Sequence, residues 1–362
     1  MKMAWHRLKS VDFVFFLLIV LDCLEVSISH EEISRVLLIS FDGFRWDYLE
    51  MVNNKGIATP NFQSLINNGV VVKSPGVQNV FITKTFPNHY SLVTGLYEES
   101  HGIVANEFYD PLFNETFTIP NSNDIKWWNG TGTQKVEPIW VTNDAASGEH
   151  HASGVYFWPG SEVPGMQPKY FITPFSMSTP FSVRVDTMAG WFTQEDSPIN
   201  FGLLYYHEPD QTGHRHGPNS TEMVTMIQTL DSYIGYMIRV LKEKQIFDEL
   251  NIILTSDHGM SEITANVYIG DIDSSLYRWF GGSPVTNILP EAGIFHFIVI
   301  YLKLFKFINY YSCTFEQLIS YLFNKFLKIN YLPCLRSETI FLFVISVNQS
   351  CCVSYWDIIS QC

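Results

Sequence analysis

Residues 35–43 read Arg35-Val-Leu-Leu-Ile-Ser-Phe-Asp-Gly43. The apolar run up to Phe41 is nearly continuous, which is typical of a strand buried on both faces of a parallel sheet. It ends in Asp42, and open α/β sheets bind their ligands at the carboxyl ends of their strands. This stretch therefore predicts both a central strand and one side of a site.

Two further apolar runs, Phe201–Tyr206 and Asn251–Ser256, predict strands of the same kind. Over residues 221–244, apolar side chains recur every three or four positions, which predicts a long amphipathic helix. A shorter helix is predicted to begin at Pro60 and to end before Gly69. Because strands and helices alternate, we expect an α/β fold with a doubly wound, mostly parallel sheet and helices on both faces.

Other segments give weaker signals. Val70–Val72 and Ile139–Val141 are predicted as short strands, since each is a short run of apolar residues. Residues 160–180 are rich in proline, serine and aromatic side chains, which predicts a loop that passes over the sheet and lines a pocket.

The segment Asn79–Tyr90 predicts a short strand that leads into a helix. Thr85 is expected at the N-cap, Pro87 in the first turn, and Gly95 just after the end. A hydroxyl at a helix N-terminus is surrounded by unpaired N–H groups and by the positive end of the dipole, which suits a nucleophile that attacks phosphorus. For Thr85 taken alone, a capping role is the commoner one.

The composition limits the partners. The chain has 36 Asp and Glu residues against 22 Lys and Arg, a formal net charge of −14, and no basic stripe. A nucleic acid polymer is therefore not expected as a partner. A small anionic substrate would need local positive charge, and a metal ion is the natural source of it in so acidic a chain. The oligomeric state is not predicted.

Residues 1–29 have the features of a signal peptide, namely a basic start, an apolar run at residues 13–20 and small residues near the expected cleavage point. Asn114, Asn129 and Asn219 begin glycosylation sequons, which agrees with export. We expect the secretory pathway and an extracellular or cell-surface location, with membrane association left open.

The three predicted strands end in similar chemistry. Asp42 follows the first, Asp210 and His214 follow the second, and Asp257 and His258 follow the third. These groups can converge beside the Thr85 segment, because parallel strands present their carboxyl ends at one edge. Carboxylate and imidazole ligands suit zinc, with manganese or iron less favoured. Two metal ions could hold both the attacking and the leaving oxygen of an in-line phosphoryl displacement. Residues 30–292 contain no cysteine, so thiolate ligands are excluded there.

Four motifs carry a resemblance to a known family: Phe41–Arg45, Thr83–His89, Gly102–Asn106 and Ser256–Met260. In content and order they resemble the ectonucleotide pyrophosphatase/phosphodiesterase family, most closely its shorter members four and five, over about residues 33–290. That family belongs to the alkaline phosphatase superfamily, which agrees with the predicted sheet. The resemblance implies a zinc-dependent hydrolase that cleaves phosphodiester or pyrophosphate bonds of a small nucleotide or dinucleotide.

The resemblance also implies roles for single residues. Two zinc ions are expected, one held by Asp42, Thr85, Asp257 and His258, the other by Asp210, His214 and one further histidine. Thr85 would attack the phosphodiester and form a nucleotidyl-threonine that water then hydrolyses. Asn106 would donate a hydrogen bond to a phosphate oxygen. Phe86 would stack on the base, with Phe175 expected on its other side.

The chain departs from the family pattern near its end. No second Asp-His-Gly motif follows the one at residues 257–259, and His296 is the only histidine after His258. We therefore expect a second zinc site that lacks one histidine, an incomplete catalytic domain over residues 30–292 and an atypical, cysteine-containing tail over 293–362. The alternative hypothesis is a catalytically silent secreted glycoprotein that binds nucleotides or another protein. A phosphonate or sulfate ester hydrolase is less favoured, because a sulfatase needs a cysteine or serine in a different signature.

Overall fold

The computed structural model describes residues 34–72, 74, 76–119, 122–130, 136–146, 151–263, 274–282, 285–291 and 340–343. Within these residues the core is a five-stranded parallel sheet with the strand order β5-β4-β6-β1-β7. Its strands are β1 Arg35–Phe41, β4 Ser153–Tyr156, β5 Tyr170–Ile172, β6 Phe201–Tyr206 and β7 Leu250–Thr255. Strands β1, β6 and β7 confirm the positions of the three predicted ones, and the predicted α/β class is confirmed. The predicted burial of the third strand is wrong, because β7 lies at the edge of the described sheet and Ile253 is 51% exposed.

The register of the central strands sets the position of the site. Ser40 of β1 lies opposite Tyr205 of β6 on one side and Thr255 of β7 on the other. The three strands are parallel and end at nearly the same level. The residues that follow them, Asp42 and Asp257 among them, therefore meet at one edge of the sheet.

Helices cover both faces of the sheet. The helices are α1 Tyr48–Asn54, α2 Pro60–Asn68, α3 Thr85–Thr94, α4 Glu98–His101, α5 Ile139–Ala145, α6 Phe181–Thr193, α7 Asp210–His216 and α8 Thr221–Glu243. Successive side chains of a strand point to opposite faces. Ser40 contacts His89 of α3 (Oγ to Nε2, 2.9 Å), whereas Phe41 packs against Phe181 of α6 (ring centroids 5.7 Å apart). Helices α3 and α6 therefore lie on opposite faces.

Smaller elements complete the described part. β2 Glu107–Asp110 pairs with β3 Glu115–Thr118 as an antiparallel hairpin. β8 Tyr277–Gly282, β9 Val285–Pro290 and β10 Ile340–Phe343 form an antiparallel sheet. No helix of the described residues is long and apolar enough to span a membrane. The predicted signal peptide and nearly all of the tail lie outside the described residues.

Several local predictions are confirmed. Helix α2 begins at Pro60 and is followed by Gly69, and α8 covers almost all of residues 221–244. Gly95 follows α3 in the left-handed conformation, with φ of 68°. Thr85 is the first residue of α3 rather than its N-cap, which is Lys84, so the predicted boundary was one residue late.

Other local predictions are wrong. Val70–Val72 form no strand and are exposed, because apolar residues of high β propensity need a paired neighbour to enter a sheet. Ile139–Val141 begin a helix instead, since a three-residue apolar run does not distinguish the two periods. The predicted loop over 160–180 contains strand β5, and strand β4 and helix α6 were missed.

The predicted strand before Thr85 is also absent. The Val80 N–H donates to Asn88 Oδ1 at 2.8 Å, and Asn88 Nδ2 donates to the carbonyls of Ile82 (2.9 Å) and Lys84 (2.8 Å). One buried amide of α3 thus pairs backbone groups that a neighbouring strand would otherwise have paired.

Candidate active site

Three aspartates meet at the carboxyl edge of the sheet, held there by backbone contacts. The Asp210 N–H donates to the Asp42 carbonyl at 2.9 Å, which joins the start of α7 to the end of β1. The Gly43 N–H donates to Asp257 Oδ1 at 3.1 Å, which joins the end of β1 to the segment that follows β7. The three carboxylates therefore form one cluster, as the sequence predicted.

Each carboxylate of this cluster presents one oxygen that accepts no well-aligned hydrogen bond from the described residues, namely Asp42 Oδ1, Asp210 Oδ1 and Asp257 Oδ2. His258 Nε2 lies 3.4 Å from Asp42 Oδ1 and 3.2 Å from Asp257 Oδ2. Ligand atoms of Asp42, Asp210 and His258 all lie within 4.8 Å of one another, a spacing that could hold a metal ion.

The electrostatics of the cluster fit a cation. Burial, followed by the charges of Asp257 and Asp210, raises the pKa of the Asp42 carboxyl well above its ordinary value. Buried, unpaired carboxylate oxygens are costly unless a positive charge neutralises them. A divalent cation bound by oxygen and imidazole would supply that charge and reverse the shift. The residues present therefore fit a metal ion.

His214 lies at the exposed side of the cluster. Its Nε2 is 3.4 Å from Asp210 Oδ1, one helical turn away on α7, and its side chain is 70% exposed. The contact with Asp210 raises the pKa of His214. The pair lies next to Asp42, because Asp210 and Asp42 share the backbone bond described above. The structure thus brings together five of the six predicted protein ligands, and Thr85 lies at the N-terminus of the neighbouring helix α3.

His89 joins α3 to the cluster, a role that was not predicted from the sequence. Its Nδ1 is 2.8 Å from the Thr85 carbonyl and 3.4 Å from Asp257 Oδ2, while Nε2 is 2.9 Å from Ser40 Oγ. The carbonyl can only accept, so the proton lies on Nδ1. Burial lowers the pKa of His89, which keeps the ring neutral. The four-residue spacing from Thr85 on a helix was the available signal.

Lys84 is a second residue at the site that was not predicted. It precedes Thr85 as the N-cap of α3, and its ammonium lies near enough to Asp210 for that carboxylate to act on its charge. Burial lowers the pKa of Lys84, and Asp210 opposes this shift. The residue before Thr85 therefore carries an amino group that interacts with a carboxylate of the acidic cluster.

Asn106 and Phe86 are also adjacent. The Phe86 N–H donates to Asn106 Oδ1 at 2.9 Å, so the amide oxygen is engaged by the first turn of α3. This orientation directs Asn106 to act through its Nδ2 donors, the chemistry that a phosphate oxygen requires. The Phe86 ring is half-buried and lies 6.2 Å from the rings of Phe117 and Trp128.

Phe175 is an exposed aromatic residue that contacts Tyr205 of β6. The residue is 43% exposed, and its ring lies 5.8 Å from the ring of Tyr205. Arg184 fixes this loop: its buried guanidinium donates to the Ser176 carbonyl (3.2 Å), the Thr179 carbonyl (3.0 Å) and the Tyr205 carbonyl (2.6 Å). The loop is therefore tied to β6 beside the cluster of three aspartates.

The three predicted glycosylation acceptors, Asn114, Asn129 and Asn219, are exposed. Asn219 Oδ1 accepts a hydrogen bond from Arg45 Nη2 at 3.0 Å. This bond does not use the amide nitrogen, which is the atom to which a glycan would be attached. Modification of these sites stays a prediction.

Comparison with known proteins gives a consistent family. The sequence profile of type I phosphodiesterase/nucleotide pyrophosphatase matches residues 36–299. Human ectonucleotide pyrophosphatase/phosphodiesterase family member 5 is 44% identical over 268 residues, 72% of this chain and 53% of the relative. The bis(5'-adenosyl)-triphosphatase of Mus musculus is 44% identical over 266 residues, 72% of this chain and 55% of the relative.

A solved structure from the same family is similar to this chain in both sequence and fold. Murine ectonucleotide pyrophosphatase/phosphodiesterase 5, an inactive variant in which alanine replaces a threonine, in complex with AMP, is 42% identical with a TM-score of 0.66. The match covers 74% of this chain and 69% of that one. The chain spans about half the length of the curated relatives it matches.

Proposed function

Because the chain belongs to the type I phosphodiesterase/nucleotide pyrophosphatase family, we propose that it hydrolyses phosphodiester or pyrophosphate bonds of nucleotides, with Thr85 as the nucleophile and zinc as the metal. The observation that carries the proposal is the cluster of three aspartates with buried, unpaired oxygens. It lies against the helix whose first residue is Thr85.

The ligand set supports zinc, since imidazole and carboxylate together suit this metal. Asp42, Asp257, His258 and Thr85 would hold one ion, and Asp210 with His214 would contribute to a second. The only histidine of the sequence after His258 is His296. When bound, zinc supplies Lewis acidity that favours the ionised threonine hydroxyl and neutralises charge on the phosphoryl group.

The residues of the chain carry the two proposed chemical steps. Thr85 Oγ1 forms a bond to phosphorus as the bond from phosphorus to the leaving oxygen breaks, which gives a nucleotidyl-threonine. Water then attacks the same phosphorus, releases the nucleotide and returns the Thr85 hydroxyl. Asn106 Nδ2 donates to a phosphoryl oxygen as negative charge builds up there. Phe86 and Phe175 offer aromatic faces to the base.

The substrate class follows from chemistry and from the relatives. One relative is named a bis(5'-adenosyl)-triphosphatase and another binds AMP, so an adenine nucleotide or dinucleoside polyphosphate is the proposed substrate. We further propose that the chain enters the secretory pathway, supported by the leader-like residues 1–29 and by three exposed sequon asparagines.

The test is zinc content together with hydrolysis of a chromogenic nucleotide phosphodiester, for the wild-type chain, Thr85→Ala and Thr94→Ala. Thr94 lies in the last turn of the same helix, and its hydroxyl donates back to the Tyr90 carbonyl, so it is a matched control. We expect zinc-dependent turnover in the wild type and in Thr94→Ala, and none in Thr85→Ala. Zinc binding by the wild-type chain without turnover would favour a silent nucleotide-binding glycoprotein.

A further inference from the structure

We propose that Tyr205 is a positioning residue of the metal centre, whose hydroxyl holds one oxygen of Asp42 so that the other oxygen is left for the metal. This inference rests on the metal centre of the proposed function. It concerns a residue that none of the motifs in the sequence pointed to.

The hydrogen bond is short and buried. The Tyr205 hydroxyl donates to Asp42 Oδ2 at 2.6 Å, and both side chains are almost fully enclosed. The opposite oxygen, Asp42 Oδ1, is the one that faces His258 Nε2 at 3.4 Å. The carboxylate is thus divided into one oxygen bound by protein and one that is available to a cation. Hydrogen bonds of this kind orient a ligating carboxylate.

Asp257 is divided in the same way by a different donor. Its Oδ1 accepts from the Gly43 N–H at 3.1 Å, and its Oδ2 is the oxygen beside His258. A backbone donor cannot be removed by a side-chain substitution, whereas the phenol of Tyr205 can. Tyr205 is therefore the donor through which this orientation can be tested.

The position of the hydroxyl is fixed by the surroundings of the ring. The Tyr205 ring packs edge-on against His89 (centroids 5.1 Å apart) and lies 5.8 Å from Phe175, while Arg184 Nη1 donates to its carbonyl at 2.6 Å. The backbone of Tyr205 also pairs with that of β1, opposite Ser40, in the sheet. With the ring fixed on these sides, the hydroxyl meets Asp42 without further ordering of the side chain.

The experiment removes the hydroxyl and keeps the ring. The zinc affinity of the full-length wild-type chain, Tyr205→Phe and Tyr90→Phe is measured by competition with a chromophoric chelator, with thermal stability measured in parallel. Tyr90 is a matched control, because it is fully buried and its hydroxyl donates to the Trp128 carbonyl at 2.8 Å, away from the carboxylates. We expect Tyr205→Phe to weaken binding of at least one zinc ion by about 10- to 100-fold.

The outcomes separate this inference from the proposed function. The expected result is that only Tyr205→Phe loses zinc affinity. This result is expected also when Tyr205→Phe and Tyr90→Phe have the same melting temperature. Equal zinc affinity in wild type and Tyr205→Phe, an equal loss in both variants, or no zinc binding by the wild-type chain would each overturn the inference. Loss of zinc affinity in Tyr205→Phe without nucleotide hydrolysis by the wild type would uphold it and refute the proposed function.

Discussion

Gly43 and Asp210 lie backbone against backbone: a Cβ added to Gly43 would stand 2.9 Å from both Cα and Cβ of Asp210. Gly43 also has φ of 68°, a conformation that side-chain-bearing residues rarely adopt. This approach lets the Asp210 N–H reach the Asp42 carbonyl. The close approach of Asp210 to Asp42, two predicted metal ligands, therefore requires that residue 43 has no side chain.

Gly43→Ala is expected to disturb the metal-ligand cluster. The added methyl group has to displace Asp210, so we expect zinc affinity to fall by at least about tenfold. Gly56→Ala is the control, because Gly56 has φ of 75° but no atom lies within 4 Å of the position that its added methyl group would take. It should show only the backbone strain, about 1 kcal/mol of unfolding free energy. Equal zinc affinity in the two variants would contradict this prediction.

Removal of the metal is expected to destabilise the fold. The unpaired oxygens of Asp42, Asp210 and Asp257 are buried close together, and a bound cation compensates their repulsion. At a free zinc concentration 100 times the dissociation constant, binding adds about 2.7 kcal/mol to the unfolding free energy. A chelator should therefore lower the melting temperature, and added zinc should restore it. Asp257→Asn should respond much less, and an unchanged wild-type melting temperature would refute the prediction.

Asp231→Ala is expected to destabilise the chain through helix α2. Asp231 of α8 accepts from the backbone N–H groups of Asn61 (3.0 Å) and Phe62 (2.9 Å), in the first turn of α2. It therefore acts as a cap supplied by another helix. We expect a loss of about 1–3 kcal/mol, because two backbone donors lose their acceptor. Denaturant unfolding measures this loss.

The control for that substitution is Thr59→Ala. Thr59 occupies the N-cap position of α2, yet its side chain makes no capping hydrogen bond. Its replacement should change the unfolding free energy by less than about 0.5 kcal/mol. A larger effect of Thr59→Ala than of Asp231→Ala would show that the cap is local after all.

The unfolding free energy is expected to depend on pH through His101. Its Nδ1 accepts from the Ile103 N–H (3.1 Å), so the proton lies on Nε2, which donates to Ser91 Oγ (2.8 Å). Burial lowers the pKa of His101 from 6.5 to about 4. The unfolded chain therefore binds more protons between these values. The contribution of His101 is fully present above pH 6.5 and is lost as the pH falls towards 4.

The measurement compares the wild type with His101→Gln, which keeps polar atoms but does not titrate. Between pH 7 and pH 4.5, the wild type should lose about 2–3 kcal/mol more unfolding free energy than the variant, because the pKa shift of His101 acts only in the wild type. Carboxylate titrations occur in both chains and cancel in the comparison. Parallel pH profiles of the two chains would mean that His101 is not held neutral by the fold.

The sequence by itself determined the central strands and the chemistry at their ends. β1 and β6 are nearly continuous apolar runs, which is typical of strands buried on both faces, and β7 is a mostly apolar run beside β1. The position of Asp42 follows from where the first of these runs ends. The long helix α8 shows the three- and four-residue spacing of apolar side chains along its whole length. These features are local, so the order of residues suffices to predict them.

Tertiary structure decided the short strands, the capping of α2 and the contacts that orient the site, because these features depend on partners far apart in the sequence. Val70–Val72 has strand propensity but no neighbour to pair with among the described residues, whereas the short β4 is a strand because β6 lies beside it. The cap that Asp231 gives to α2 and the bond from Tyr205 to Asp42 likewise join separate elements. Side-chain hydrogen bonds across the fold leave no periodic signal in the sequence, so only the packed chain shows which residues orient the site.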